Sequence, residues 1–275
     1  MDAPRFVERR DRSLYWLVDV GLEAPLAALG WPDASAVERA LGAAAATGRT
    51  ATAILSVPGR SERIHLRPVR HGGLLGGLWR GAIAGVARPV AELRATASLL
   101  EAGAPVPRPA LVAARRLAGP FWSAVVGTQH VEAARDGVAW LAARPTRTDL
   151  WRGARAAGAA IRRFHDAGGS HADLHAKNLL FRERGAETEV LVIDLDRARA
   201  GSPPDPARRC AELMRLLRGL HKRGLAKQVG ARGCAAAFSA YCAGDRALRR
   251  ALLAHLPRER RRLARHAWLY RDPAA

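Results

Sequence analysis

Lysine is nearly missing from this chain. Only Lys177, Lys222 and Lys227 are present. No lysine chemistry is therefore available anywhere in the first half. Cysteine is scarce too: Cys210, Cys234 and Cys242, with no CxxC pair. An odd number at such spacing excludes a closed disulfide framework. The three read as free thiols of a reducing compartment, used for packing. No apolar run approaches the length of about 18 residues that a membrane-spanning helix needs. The start, MDAPRFVERRDRS, lacks the apolar core of a signal peptide. The expectation is a cytoplasmic protein that meets a membrane only at its surface. Acidic residues are few: 25 Asp and Glu stand against 45 Lys and Arg, a formal charge of +20. Part of that excess follows from the GC-rich codons that Arg shares with Ala and Gly. The rest calls for an anionic partner. Aromatics make up 5% and are not interleaved with the basic residues, which argues against nucleic acid.

What is present has a clear order. Residues 1–45 carry Phe6, Tyr15, Trp16 and Trp31 but no motif. TGRTATAILSV and SERIHLRPV are short β-tolerant runs parted by the turn signal VPGR, and they predict an antiparallel hairpin. HGGLLGGLWRG (71–81) reads as a Gly-rich loop. RPVAELRATASLLEAG opens with Pro, closes on Gly103 and sets Val90, Leu93, Ala97 and Leu100 on one face, so it predicts a helix. APVPRP (104–109) breaks it. PALVAARRLAG and PFWSAVVGTQHV are two further strands. After residue 131 helices dominate. WRGARAAGAAIRRFHDAGG places Trp151, Ala154, Gly158, Ile161 and His165 on one face and stops at Gly168–Gly169. LLF (179–181) and VLVID (190–194) pair as short strands. A helix over 206–222 has the stripe Cys210, Leu213, Met214, Leu217 and Leu220, and 245–270 is basic and helical. A small β-rich lobe followed by a larger helical one places a ligand cleft at their seam.

Two polar clusters carry the chemistry. HADLHAKN (171–178) follows a helix and precedes a strand, so one loop presents Asp173 and Asn178 together. VIDLDRAR (192–199) sets Asp194 at a strand end. One carboxylate to take a proton, with a carboxylate and a carboxamide to hold Mg²⁺, is the oxygen-rich set that phosphoryl transfer needs.

H-x-D-x-x-x-x-N followed by I-D resembles the catalytic loop and metal-binding Asp of protein-kinase-like enzymes. The resemblance implies that Asp173 is the base facing the acceptor hydroxyl, that Asn178 and Asp194 hold Mg²⁺, and that His171 buttresses the loop. It also implies a cation on the third strand, where Arg67 of IHLRPV stands in for lysine, and a helix acid to pair with it, Glu92. A phosphate-covering turn falls at Gly48, Arg49 and Thr50. Adenine is expected beside VVGTQHV (125–131), with Thr128 and His130 as contacts. LRPVRHGGL, then R-P-x-x-E, PVPRP, HADLHAKN and IDLDRAR, is similar in order to the lipopolysaccharide kinase family, on its 3-deoxy-D-manno-octulosonic acid (Kdo) side. That likeness covers residues 46–222. Two positions depart from it: Thr50 replaces a turn glycine, and His175 replaces an asparagine two residues after the base. A protonated His175 would stand near the transferred phosphate.

The expected fold is therefore α+β and two-lobed, protein-kinase-like. Residues 1–130 form a small antiparallel N-lobe with one main helix, and 131–275 a mostly helical C-lobe. The resemblance implies ATP and Mg²⁺ as cofactors and transfer of the γ-phosphate to a Kdo hydroxyl of a Kdo-lipid A precursor. Work at the cytoplasmic face of the inner membrane is implied as well. HLPRERRRLARHAWLYR (255–271) is readable as an anionic-lipid contact or as a helix face packed by Leu256, Leu263 and Trp268. Heptose or another glycan is the alternative acceptor. ARAGSPPDP is too short for the activation segment of a protein kinase, and the basic charge does not suit a cationic aminoglycoside. A non-catalytic scaffold would be marked by loss of Asp173, Asn178 or Asp194, and all three are present.

Overall fold

The computed structural model describes residues 4–33, 35–36, 38–39, 42, 52–69, 82–185 and 187–269. The chain divides into two compact units, Met1–Glu101 with Pro107–Val131, and Ala102–Val106 with Glu132–Ala275.

The first unit is an antiparallel sheet. Its strands are β1 (Phe6–Arg10), β2 (Leu14–Asp19), β3 (Ala53–Ser56), β4 (Arg63–Pro68), β5 (Ile83–Ala84), β6 (Pro109–Ala118) and β7 (Phe121–Gln129). They lie in the order β1-β2-β6-β7-β4-β3, with β5 on β7. The β3–β4 hairpin closes through the VPGR turn, as the sequence expects. Alternation sorts the side chains between two faces. Trp16, Val18, Ile64, Leu66, Leu111, Ala113 and Val125 pack on one side under Leu26 and Trp31. Tyr15, Leu17, Val112, Ala114, Ala124 and Val126 pack on the other against Leu93. Leu93 belongs to helix α2 (Ala87–Glu101), and Leu26 to the short helix α1 (Val20–Ala27). Each such buried Leu is worth about 1.5–3 kcal/mol in area terms. Asp19 caps α1, accepting from Gly21 N–H at 3.0 Å, and pairs with Arg108 Nη2 at 2.8 Å. One acid thus ties the N-terminal hairpin to the residue that precedes β6.

The second unit sets a small sheet, β10-β9-β8, among helices. The strands are β8 (Arg135–Asp136), β9 (Leu179–Arg184) and β10 (Glu187–Val192). The helices are α3 (Gly137–Ala142), α4 (Arg147–Asp166), α5 (Pro206–Lys222), α6 (Ala226–Cys242) and α7 (Arg246–Leu269). Asp136, Thr146 and Asp205 cap α3, α4 and α5 through their side chains, and Pro206 sits in the first turn of α5. Val192 N–H donates to the Pro105 carbonyl at 2.7 Å, fastening the PVPRP segment to β10.

The α4 stripe needs correction. Trp151 does not face inward: it is 49% exposed, with Arg155 stacked 4.9 Å over its ring. The buried face is Gly153, Ala157, Gly158, Ala160, Ile161, Phe164 and His165, which keeps Gly158, Ile161 and His165 of the expected stripe. Small residues win because α6 comes too close for large ones. A Cβ at Gly158 would lie 2.0 Å from the Ala237 carbonyl oxygen. Among the described residues no helix is long and apolar enough to cross a membrane.

Candidate active site

The chain leaves α4 through Gly168, at φ +84°. A Cβ there would meet the Gly201 carbonyl oxygen at 1.8 Å, so glycine is required twice over. Ser170 and Arg199 then exchange two backbone hydrogen bonds of 3.0 Å. The loop carrying Asp173 is thereby fastened to the segment that follows Asp194.

His171 is the centre of this loop. It is 2% exposed. Its Nδ1 accepts from the Asp173 N–H at 3.1 Å, and its Nε2 donates to the Ile193 carbonyl at 3.1 Å. One accepting and one donating nitrogen define a neutral ring protonated at Nε2. Burial holds its pKa below the ordinary 6.5, outweighing the Ile193 carbonyl and the nearby carboxylates that favour the cation. Asn178 completes the clamp. Its Nδ2 donates to the Asp173 carbonyl at 3.0 Å, and its own carbonyl accepts from Ile193 N–H at 2.9 Å. The Ile193 residue is thus held from two sides, which fixes the start of Asp194. Asp194 takes left-handed geometry, φ 60° and ψ 61°, a region that Asp tolerates better than most residues.

The structure therefore brings His171, Asp173, His175, Asn178 and the strand end before Asp194 into one hydrogen-bonded group. The Asp173 side chain is 68% exposed. His175 Nε2 stands 3.5 Å from Asp173 Oδ2, while its Nδ1 is buried with no hydrogen-bond partner among the described residues. Among the described residues no cluster of three His, Cys, Asp or Glu could cage a metal alone. The Asn178 amide nitrogen is already spent on Asp173, which leaves Oδ1 as the side-chain atom able to take a cation.

The first unit places a second set of expected residues. Arg67 Nη2 meets Glu92 Oε1 at 2.5 Å, joining β4 to α2, with Glu92 only 7% exposed at its side chain. Thr128 lies on β7 opposite His65, and His130 N–H donates to the Arg63 carbonyl at 2.7 Å. Gly48, Arg49 and Thr50 lie outside the described residues. His65 was not singled out by sequence reasoning. Its spacing of two from Arg67 was the available signal, since that puts both on one strand face. Burial lowers its pKa, and the His130 and Arg67 charges add to the shift.

His65 and His171 are both depressed, which sets the sign of a pH effect. Below about pH 6.5 the unfolded chain binds protons that the folded chain refuses. Their stabilising contribution is full above that pH and is lost as pH falls towards the folded-state values. The melting temperature is expected to drop between pH 7 and pH 5. A His65→Gln variant should show a shallower drop in thermal melts across that range; an unchanged slope would refute the assignment.

Residues 45–241, well over half of the chain, match the model of the lipopolysaccharide kinase (Kdo/WaaP) family. The chain belongs to that family. A 3-deoxy-D-manno-octulosonic acid kinase of Haemophilus influenzae (strain 86-028NP) is 33% identical over 172 residues, 60% of this chain and 66% of the relative. One from Stenotrophomonas maltophilia (strain R551-3) is 39% identical over 145 residues, 53% of this chain and 54% of the relative. The matched segment thus spans about half to two thirds of the length of these curated relatives. Among solved structures, WaaP in complex with acyl carrier protein superposes with a TM-score of 0.51 at 19% identity, covering 79% of this chain and 86% of that one. At that identity the likeness concerns the fold alone, which is kinase-like. The α+β class expected from the sequence is the one the chain adopts.

Proposed function

We propose that this member of the lipopolysaccharide kinase family transfers the γ-phosphate of ATP to a hydroxyl of Kdo in a Kdo-lipid A precursor. The observation that carries the reading is the loop in which His171 and Asn178 lock Asp173 and the residue before Asp194 to one another. Asp173 accepts the proton of the acceptor hydroxyl as that oxygen bonds to the γ-phosphorus and the bond to ADP breaks. Asn178 and Asp194 would hold Mg²⁺, whose charge would neutralise the phosphate oxygens. Gly48, Arg49 and Thr50, which lie outside the described residues, are read from the sequence as the phosphate-covering turn, and Thr128 and His130 as the adenine contacts. The first unit is read as the nucleotide-covering lobe and the second as the catalytic lobe. His175, beside Asp173, is read as a cation near the transferred group.

A Kdo-lipid A acceptor carries carboxylate and phosphates, and the net charge of +20 suits it. Peripheral contact with the anionic cytoplasmic face of the inner membrane belongs to the same reading. The exposed arginines Arg246, Arg249, Arg250, Arg258 and Arg261 along α7 support it.

Arg67 takes the place of the strand lysine, held by Glu92 and directed at the ATP phosphates. Arg67→Lys keeps the charge but loses the planar fork that serves two acceptors at once. The KM for ATP should rise about tenfold, the worth of one charge-assisted hydrogen bond, with kcat changed less. An unchanged KM in steady-state kinetics would remove Arg67 from the nucleotide site.

The function itself is tested by incubating the purified protein with labelled ATP, Mg²⁺ and Kdo-lipid A precursor. Labelled lipid is the expected product. Protein that binds ATP yet labels only a heptose-containing core would replace the acceptor. Protein that binds no ATP would overturn the kinase reading.

A further inference from the structure

A buried acid lies behind the catalytic loop, and no step above uses it. Glu212, on α5, is 4% exposed. A carboxylate at that depth is costly unless it is fully hydrogen-bonded. Here four donors converge on it. Oε2 accepts from the His171 backbone N–H at 2.9 Å and faces His165 Nε2 at 3.1 Å. Oε1 accepts from Ser170 Oγ at 2.5 Å and from Arg208 Nε at 3.3 Å. Burial alone would raise the Glu212 pKa, but the bonds from His165, Ser170 and the His171 amide hold it below the usual glutamate value.

The chain of contacts continues inward. His165 is fully buried, and its Nδ1 lies 2.6 Å from the Tyr241 hydroxyl on α6. With Nε2–H donating to Glu212, Nδ1 is left to accept the tyrosine O–H. Burial pushes the Tyr241 pKa far up, so the hydroxyl keeps its proton. Tyr241, His165 and Glu212 thus form one oriented line running from α6 through α4 to α5. It ends on two consecutive loop residues, Ser170 and His171. His171 in turn receives the Asp173 amide and reaches Ile193.

We infer that Glu212 is a positioning residue for phosphate transfer: with His165 and Tyr241 behind it, it fixes the backbone of Ser170 and His171 and so aims Asp173. This rests on the reading of Asp173 as the base. Glu212 touches no substrate and acts only through the loop. Each of its oxygens already receives two donors, so an amide nitrogen at either position would oppose them. Glu212→Gln, though the same shape, is therefore expected to release the loop. Misaiming the base by a fraction of an ångström to one ångström can cost up to about 100-fold in rate.

The test compares wild type, Glu212→Gln and Ser170→Ala as full-length proteins. Kinetics should show kcat lower by about 10–100-fold in Glu212→Gln and less in Ser170→Ala, with KM for ATP within about twofold of wild type. A folded Glu212→Gln with wild-type kcat, or one that loses kcat and ATP affinity alike, would overturn the inference. Amide hydrogen exchange read without substrate is the second arm. Residues 170–174 should exchange at least about tenfold faster in either variant while the first unit is unchanged. Unchanged exchange in both variants would also overturn it. The exchange arm does not depend on any acceptor, so failure of the Kdo reading, seen as an inactive wild type, stays distinct. If Glu212→Gln does not fold, Ser170→Ala decides alone, because it removes one donor and leaves the carboxylate in place.

Discussion

Replacing Asp173 by asparagine is expected to lower the rate of phosphate transfer about 10²–10⁴-fold, the range that a positioned general base supplies. The variant is nearly isosteric. The Asp173 groups that build the loop are its backbone N–H, held by His171, and its backbone carbonyl, held by Asn178. The carboxylate is not part of that scaffold and is 68% exposed. Folding and ATP binding should therefore stay close to wild type. Single-turnover transfer with nucleotide affinity measured alongside separates the outcomes. A loss confined to the chemical step supports the base. Retained activity would assign the proton to another acceptor, with His175, 3.5 Å from the Asp173 carboxylate, as the next candidate.

Gly158→Ala is expected to destabilise the second unit by about 3 kcal/mol, the upper part of the overpacking range. The melting temperature should fall by about 10 °C. Intrinsic helix propensity makes the opposite prediction, since alanine in a helix interior is favoured over glycine by about 1 kcal/mol. The sign of the change decides between them. The obstacle is the carbonyl of Ala237, 2.0 Å from where the methyl carbon would sit. Backbone cannot rotate away as a long side chain can, so α4 and α6 must separate. A thermal melt reads the answer directly, and a rise in melting temperature would mean that the two helices do not touch there.

How far the sequence could be read depended on punctuation. The β3–β4 hairpin, α2 and the loop of Asp173 were legible because VPGR, Gly103 and Gly168–Gly169 mark their ends. The hairpin of β1 and β2 was not. LYWLVD is apolar at every position before Asp19, because β2 is covered on both faces by the two halves of the core. A strand buried on both sides loses the alternation that identifies it. The α4 stripe held at Gly158, Ile161 and His165 but failed at its first residue: a large aromatic was assigned to the interior, and close helix packing selected Gly153 and Ala157 and left Trp151 outside. In the candidate site, residue types and order were legible at Asp173, Asn178 and Asp194. The partnership of Arg67 with Glu92 was an expectation from order along the chain, and only coordinates supply its contact. Glu212 carried no signal, since a glutamate between Ala211 and Leu213 reads as a solvated acid until its four donors are seen.

The PVPRP segment bears on how this chain is made. Residues 102–106 fall inside the first unit's sequence yet belong to the second unit, where the Pro105 carbonyl waits for the N–H of Val192. During synthesis every strand of the seven-stranded sheet has emerged once Val131 is made. The stretch around Pro105 must stay open until β10 follows, much later. A fragment ending at Val131 therefore keeps a complete sheet with one idle tether, whereas a fragment beginning at Glu132 loses the acceptor for the last residue of β10. The order of translation favours the sheet first, and the helical unit closes onto a piece of chain that was made before it.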